Sequence, residues 1–256
     1  MHIAVVVKQV PDLVEELEVD AAGTDIDRAW VKMKLNEFDD HALEQAVLLK
    51  EAGGAQVSVV ALDGEGIDQV LYAAVARGAD RALKVDVGTQ EPLDSRRAAT
   101  AIAAAIRDLA PDLVLTGVQA ADDLFGQMAP FLAAELNWPH VSVVSQVEAA
   151  GAAVRVQQEY AGGRMATLEV DLPAVIGVQA APQPPRYVPV SRLRQAMASG
   201  ALETATGSAG AGAGGTTVTQ LAKPETGRGA EMLAGSADQV AERIEALLRE
   251  RGLLRG

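Results

Sequence analysis

The chain contains no cysteine. That excludes disulfides, thiolate metal centres and a cysteine nucleophile. Aromatic residues are only 3% of the sequence, so Ala, Val and Leu must build most of any core. Histidine is equally scarce: His2, His41 and His140 stand alone, without HExxH or any paired spacing, and no metal site is expected. GxSxG and P-loop patterns are absent. Positive charge is short, with 22 Lys and Arg against 35 Asp and Glu, for a formal net charge of −13. Such a surface disfavours non-specific binding to nucleic acid or anionic membranes. No run reaches the roughly 18 apolar residues of a membrane span. The N-terminus enters a strand at once, over His2 to Val7, without a signal-peptide pattern. The expectation is a cytoplasmic protein with no nucleic-acid partner and no membrane insertion.

What is present is apolar residue in quantity, 49% of 256 positions, enough for one large core. Strand-like and helix-like segments alternate. Strands are predicted at His2–Val7, Gln56–Leu62, Ala82–Val85 and Asp112–Thr116. Helices are predicted at Phe38–Glu51, Gly66–Arg77, Leu93–Leu109 and Gly126–Leu136. This order predicts a parallel sheet with helices on both faces. After Pro139 the pattern changes to strands at Val141–Glu148, Ala153–Glu159, Met165–Val170 and Ala174–Val178, which adds an antiparallel hairpin.

The most informative stretch is DLVLTGVQAADDLFGQMAP, from Asp112 to Pro130. A short apolar run suits a buried parallel strand, and Gly117 ends it. Ligands of open α/β sheets bind at the carboxyl ends of strands, where this loop lies. Gly117, Ala120, Ala121 and Gly126 would let a ligand approach the backbone, and free amides at the next helix start would suit a phosphate. A generic strand–helix loop has the same look. The carboxylate pairs Asp39–Asp40 and Asp122–Asp123 are adjacent in sequence and diverge in direction, so neither is an acid/base dyad. Asp39 reads as a helix cap rather than a catalyst. From the residues alone the chain is a nucleotide-binding or partner-binding module without chemistry of its own.

Pro182, Pro184, Pro185 and Pro189 force an extended segment. Ser191–Ser199 suits a short helix. Glu203–Thr219 has the Gly, Ala, Ser and Thr content of a flexible linker. Ser236 and Gln239 form a capping box for a last helix, whose Val240, Ile244, Leu247 and Leu248 recur at helical spacing. The expected division is 1–181 as α/β core, 182–200 as a recognition segment, 201–235 as linker and 236–256 as a C-terminal helical arm.

Several landmarks, in order, resemble the β subunit of electron transfer flavoproteins. They are KQVPD (Lys8–Asp12), VKMKLNEFDDHALEQAVLLKE (Val31–Glu51), GADRALKV (Gly78–Val85), GVQAADDLFGQMAP (Gly117–Pro130), YAGGRMATLEVDLPAVIGV (Tyr160–Val178) and PRYVPVSRLRQAM (Pro185–Met197). The resemblance implies a Rossmann-like, adenine-nucleotide-hydrolase-type fold. It also implies a heterodimer with an α subunit that holds most of an FAD site, and an AMP buried in the β subunit. Such a heterodimer carries electrons from flavin dehydrogenases to a quinone oxidoreductase and turns over no substrate of its own.

Carried over residue by residue, the resemblance gives Val6, Asn36, Glu37, Phe38, Asp39 and Leu62 as cofactor-binding. In the loop it adds Gly117, Val118, Gln119, Ala120, Ala121, Asp122, Asp123, Gly126, Gln127 and Met128. Phe38 matches an aromatic residue near the flavin edge in relatives, and Leu13 replaces a second one. Gly126 and Met128 replace the Asn and Thr that flank the shared Gln in AMP-binding relatives. Gln127, Met128 and Pro130 lean toward relatives with a second FAD in this pocket, which stays open beside AMP. A stand-alone AMP- or ATP-binding protein of the same fold also stays open. In the recognition segment Arg186, Tyr187 and Val190 are the docking candidates. Val190 stands where relatives insert a Leu into a partner dehydrogenase, and the Lys-rich run that follows in relatives is replaced by AMASGAL (Ala196–Leu202). The C-terminal helix is expected to dock on the α subunit.

Overall fold

Strands that are apolar on both faces take the middle of a parallel sheet, because helices cover them from both sides. The computed structural model, which describes residues 1–14, 16–29, 31–89, 93–123, 125–209, 217–224 and 229–254, follows this rule. The chain forms β1 (His2–Val6), β2 (Gln9–Pro11), β3 (Met33–Leu35), α1 (Glu37–Gly53), β4 (Gln56–Leu62) and α2 (Ile67–Arg77). It continues through β5 (Arg81–Asp86), α3 (Ser95–Leu109), β6 (Leu113–Gly117), α4 (Met128–Leu136), β7 (His140–Ala150) and β8 (Ala153–Tyr160). Then come β9 (Arg164–Asp171), β10 (Ala174–Val178), α5 (Val190–Ala198), β11 (Leu202–Thr206) and α6 (Ala237–Glu250).

Nine strands form one sheet in the order β11-β5-β4-β1-β6-β10-β7-β8-β9. It is parallel from β11 to β7, and β8 and β9 extend it antiparallel. Every residue of β6 and β10 is buried. The helices α1 and α2 pack on one face, and α3 and α4 on the other. The scarcity of aromatics is met as expected: Ala98, Ala99, Ala101, Ile102, Ala103, Ala105 and Ile106 of α3 are all buried. The expected α/β fold with an added antiparallel hairpin is therefore present.

The chain leaves β1 for β4 on one side and returns to β6 on the other, with Val6 in register with both Val60 and Thr116. A crevice opens where strand order reverses in this way, at the carboxyl ends of the strands. The site is built there.

Two elements escape the sequence reading. Gln9–Pro11 and Met33–Leu35 pair as a separate antiparallel ribbon of three residues each, too short to show a period. The linker composition starting at Glu203 hides β11, which pairs with β5 along its whole length, Leu202 with Ala82 through Thr206 with Asp86. An Arg81–Glu203 ion pair of 2.7 Å clasps the two strands. Pairing to an existing edge overrides weak propensity, because the β5 backbone groups must be satisfied. Other parts of the expected linker, 210–216 and 225–228, lie outside the described residues, as do 255–256 of the arm. The capping box of α6 forms as read, and Glu245 pairs with Arg249 at 2.7 Å. No residue of α6 is buried.

Gln45 of α1 shows how tightly the antiparallel extension is keyed to the core. Its buried amide accepts from Val147 N at 3.2 Å and donates to Val147 O at 2.9 Å, just past the register shift in β7. Gln45→Ala leaves both backbone groups buried without partners. The expected cost is about 2–4 kcal/mol of unfolding free energy, read as a lower urea midpoint at unchanged slope.

Candidate functional site

The carboxyl ends of β1, β4 and β6 and the start of α1 enclose a cavity of about 750 Å³. Ligand pockets commonly span about 300–1,000 Å³, so its size suits a nucleotide-sized molecule. Val6, Val7 and Lys8 enter from the end of β1, Asn36 and Asp39 from the start of α1, and Leu62 to Gly66 from the end of β4. Gly117 to Ala120, Asp122, Asp123 and Met128 complete the wall after β6. Apolar side chains from the α2 and α3 starts, Ile67, Ala98 and Ile102, close another side.

Asp39 is not the cap that its position suggests. The N-cap of α1 is Asn36, which makes no side-chain cap and instead donates through Nδ2 to Gln119 O at 2.8 Å. Asp39 turns inward. Its carboxylate accepts Lys8 N at 2.9 Å and Gly117 N at 2.9 Å, so it ties the ends of β1 and β6 to α1. Gly117 is required for this approach: a Cβ there would overlap the Asp39 carboxylate and lie 2.7 Å from Phe38 Cβ. Burial pushes the Asp39 carboxyl up to about 7, against the two backbone amides that favour its charged form.

In the loop after β6, Lys8 Nζ donates to Asp122 Oδ1 at 2.7 Å. The Asp123 carboxylate accepts Phe125 N and Gln127 N, each at 3.1 Å, and so shapes the entry to α4. Gly126 has φ +58°, and a Cβ there would come within 2.6 Å of Val118 O. A side chain at this position is therefore excluded on two grounds. Leu124 of this loop lies outside the described residues.

Of the expected cofactor residues, Val6, Asn36, Asp39, Leu62, Gly117, Val118, Gln119, Ala120, Asp122, Asp123 and Met128 line the cavity. Glu37, Phe38, Ala121, Gly126 and Gln127 do not. Glu37 and Ala121 are exposed, and Phe38, Gly126 and Gln127 are half-buried beside the wall. Lys8, Asp63, Glu65, Arg28 and Met33 also line it and were not expected. Lys8 alone carried a signal, as the first residue after the β1 run.

The histidines serve separate elements. His2 bonds Ser58, His41 Nδ1 accepts Ala181 N, and His140 bonds Ser142. Among the described residues no group of His, Asp and Glu is placed to hold a metal ion. No described helix is long and apolar enough to cross a membrane. Tyr187 and Val190 are exposed, 83% and 57%. Arg186, the third docking candidate, pairs with Glu44 and Glu51 of α1.

The raised carboxyl fixes the sign of one pH effect. Asp39 holds its proton to higher pH when folded than when unfolded, so its contribution is fully present below about pH 4 and declines as pH rises through about 7. Asp39→Asn cannot titrate. The stability difference between the native chain and Asp39→Asn should shift against the native chain across that window, measured by urea unfolding at each pH. A difference independent of pH would show that Asp39 is ionised throughout.

The comparisons with known proteins agree with this architecture. Residues 24–209 match the electron transfer flavoprotein domain. The chain is 31% identical to electron transfer flavoprotein subunit beta of Methylophilus methylotrophus, over 98% of each chain. It is 36% identical to the mitochondrial subunit beta of Oryza sativa subsp. indica, over 77% of this chain and 78% of that one. It is 37% identical to the subunit beta of Syntrophomonas wolfei, over 73% of each. With the fold, the family model and nearly full-length similarity in accord, this chain belongs to the electron transfer flavoprotein β-subunit family of electron carriers.

Proposed function

We propose that this chain acts as the β half of a cytoplasmic heterodimer. With an α subunit it completes an FAD site, and it keeps an AMP in its own cavity. The heterodimer accepts electrons from flavin dehydrogenases and passes them to a quinone oxidoreductase. The chain turns over no substrate.

The observation that carries this reading is the cavity of about 750 Å³ at the switch point, walled by Gly117–Ala120 and Met128. Its residues fit an adenine nucleotide. Val6, Leu62, Ile67 and Ile102 offer apolar surface to a purine, while Asp63 and Glu65 offer acceptors to ribose hydroxyls. Lys8 and Arg28 are cations at the wall, and the nine-residue helix α4 starts there at Met128. Gly126 and Met128 bring no side-chain donor, so backbone and Lys8 would hold the phosphate.

FAD supplies the one-electron and two-electron chemistry when bound. The chain's own share is to shape the boundary of that site. Phe38, half-buried at the α1 start, and the exposed Phe125 and Leu13 are the apolar side chains assigned to that boundary. Tyr187 and Val190 offer a separate outward surface for a donor. Nothing in this division of labour needs an acid/base dyad. The separation of flavins, rather than proton transfer, then governs the rate.

A second reading places another FAD in the cavity, as the Gln127-Met128 sequence allows. Co-expression with an α subunit, followed by release and quantification of bound nucleotides, separates the two. One FAD and one AMP per heterodimer are expected. Two FAD and no AMP would give the cavity to flavin. A colourless chain that ignores the α subunit and retains AMP or ATP would replace the proposal with a stand-alone nucleotide-binding protein. Within the first outcome, Lys8→Gln should weaken AMP about tenfold, the lower end expected for a charged hydrogen bond, with adenosine affinity unchanged by calorimetry.

A further inference from the structure

The clearest built feature that the cavity leaves unused is the anchoring of the proline-rich strap 182–189. Pro182, Pro184, Pro185 and Pro189 have no N–H to give, so the strap cannot hold itself to the core by backbone amides at those positions. It is fixed at its start by Ala181 N, which donates to His41 Nδ1 at 3.2 Å. The next anchor is Arg186. Its backbone N donates to Glu44 Oε2 at 3.0 Å. Its Nη2 donates to Glu44 Oε1 at 2.8 Å, and its Nη1 to Glu51 Oε1 at 2.6 Å.

Glu44 and Glu51 are seven residues apart on α1, two turns along one face. A planar guanidinium engages both carboxylates through several N–H groups in one rigid fork, a geometry that the point charge of an ammonium does not reproduce. Glu44 is almost fully buried, with 3% of its side chain exposed. A carboxylate this deep needs its partner. Beyond this anchor two large side chains stay in solvent, Tyr187 at 83% and Val190 at 57% exposed.

We propose that Arg186 is a positioning residue that clamps the strap to α1 and so presents Tyr187 and Val190 to the electron-donating partner in one fixed arrangement. Its role in docking rests on the reading of Tyr187 and Val190 as the donor-facing surface. A fixed surface loses less freedom on docking, so the clamp acts on encounter with the donor and not on the flavin.

The test uses the heterodimer of this chain with its α subunit, with Arg186→Lys, Arg186→Ala and the double variant Glu44→Gln/Arg186→Ala. The double variant removes the stranded buried charge and so separates the clamp from general stability. Deuterium exchange over 187–198 should rise about tenfold in all three, while exchange over Leu113–Gly117 of β6 stays unchanged in the double variant. With an acyl-CoA dehydrogenase reduced by its thioester as donor, KM should rise about tenfold with kcat within about twofold and FAD content intact. Unchanged exchange over 187–198, or a parallel rise in β6 in the double variant, would overturn the clamp. A fall in kcat at constant KM would overturn its role in docking. If Tyr187→Ala and Val190→Ala leave KM unchanged, the docking reading itself fails, and the exchange data still judge the clamp.

Discussion

The structure depends on one close approach, between the end of β6 and the first turn of α1. Gly117 N and Lys8 N both end on the Asp39 carboxylate, so two neighbouring strands and a helix share a single acceptor group. The absence of a side chain at Gly117 lets Phe38 and Asp39 come this near. The cavity wall follows from that contact. Asn36, one turn earlier, is held at the correct depth to bond Gln119 O, which sets the path of the loop after β6. Burial of a carboxylate is costly, and here two backbone donors offset much of the cost. The group remains the least comfortable charge in the core, which is why burial raises its proton affinity.

Charge has a second consequence at the cavity. Lys8 is paired with Asp122, and Asp123 holds the amides of Phe125 and Gln127. A phosphate entering here would meet carboxylates already seated on a lysine and on loop amides. Its binding would be an exchange of one anion for another rather than capture by free positive charge. The strongly acidic chain as a whole points the same way: it attracts no anion at long range. For the nucleotide proposed above, selectivity in such a site would come from the fit of base and sugar.

Much of this was legible in the sequence, for physical reasons that differ by element. The largely buried strands β1, β4 and β6 announced themselves as apolar runs ended by turn residues, because burial on both faces removes alternation. The loop after β6 could be read because its small residues serve close backbone approach. The inward turn of Asp39 could not. Ser, Thr, Asn and Asp at a helix start signal a cap, and only the position of β6 in space decides that this carboxylate serves another strand. The strand β11 was hidden for a related reason. LETAT has little strand character, and its order comes from the free edge of β5. The pairing of Arg186 with α1 could not be read from the proline segment around it. Its partners lie 142 and 135 residues away along the chain.

The helix α1 is the common frame for these features. Its start carries Asn36 and Asp39 at the cavity, its middle carries Gln45 into β7 and Glu44 under the strap, and its last turn adds Glu51 there. An electron carrier has to hold a redox group and an encounter surface at a fixed separation, because transfer falls steeply with distance. The stiffness of α1 keeps the cavity, the antiparallel extension and the outward strap in one register. A helix of 17 residues spans about 25 Å at 1.5 Å per residue, enough to reach from one to the other without a joint. The scarcity of acid/base constellations then has a structural counterpart: the polar groups buried along α1 are committed to holding elements together.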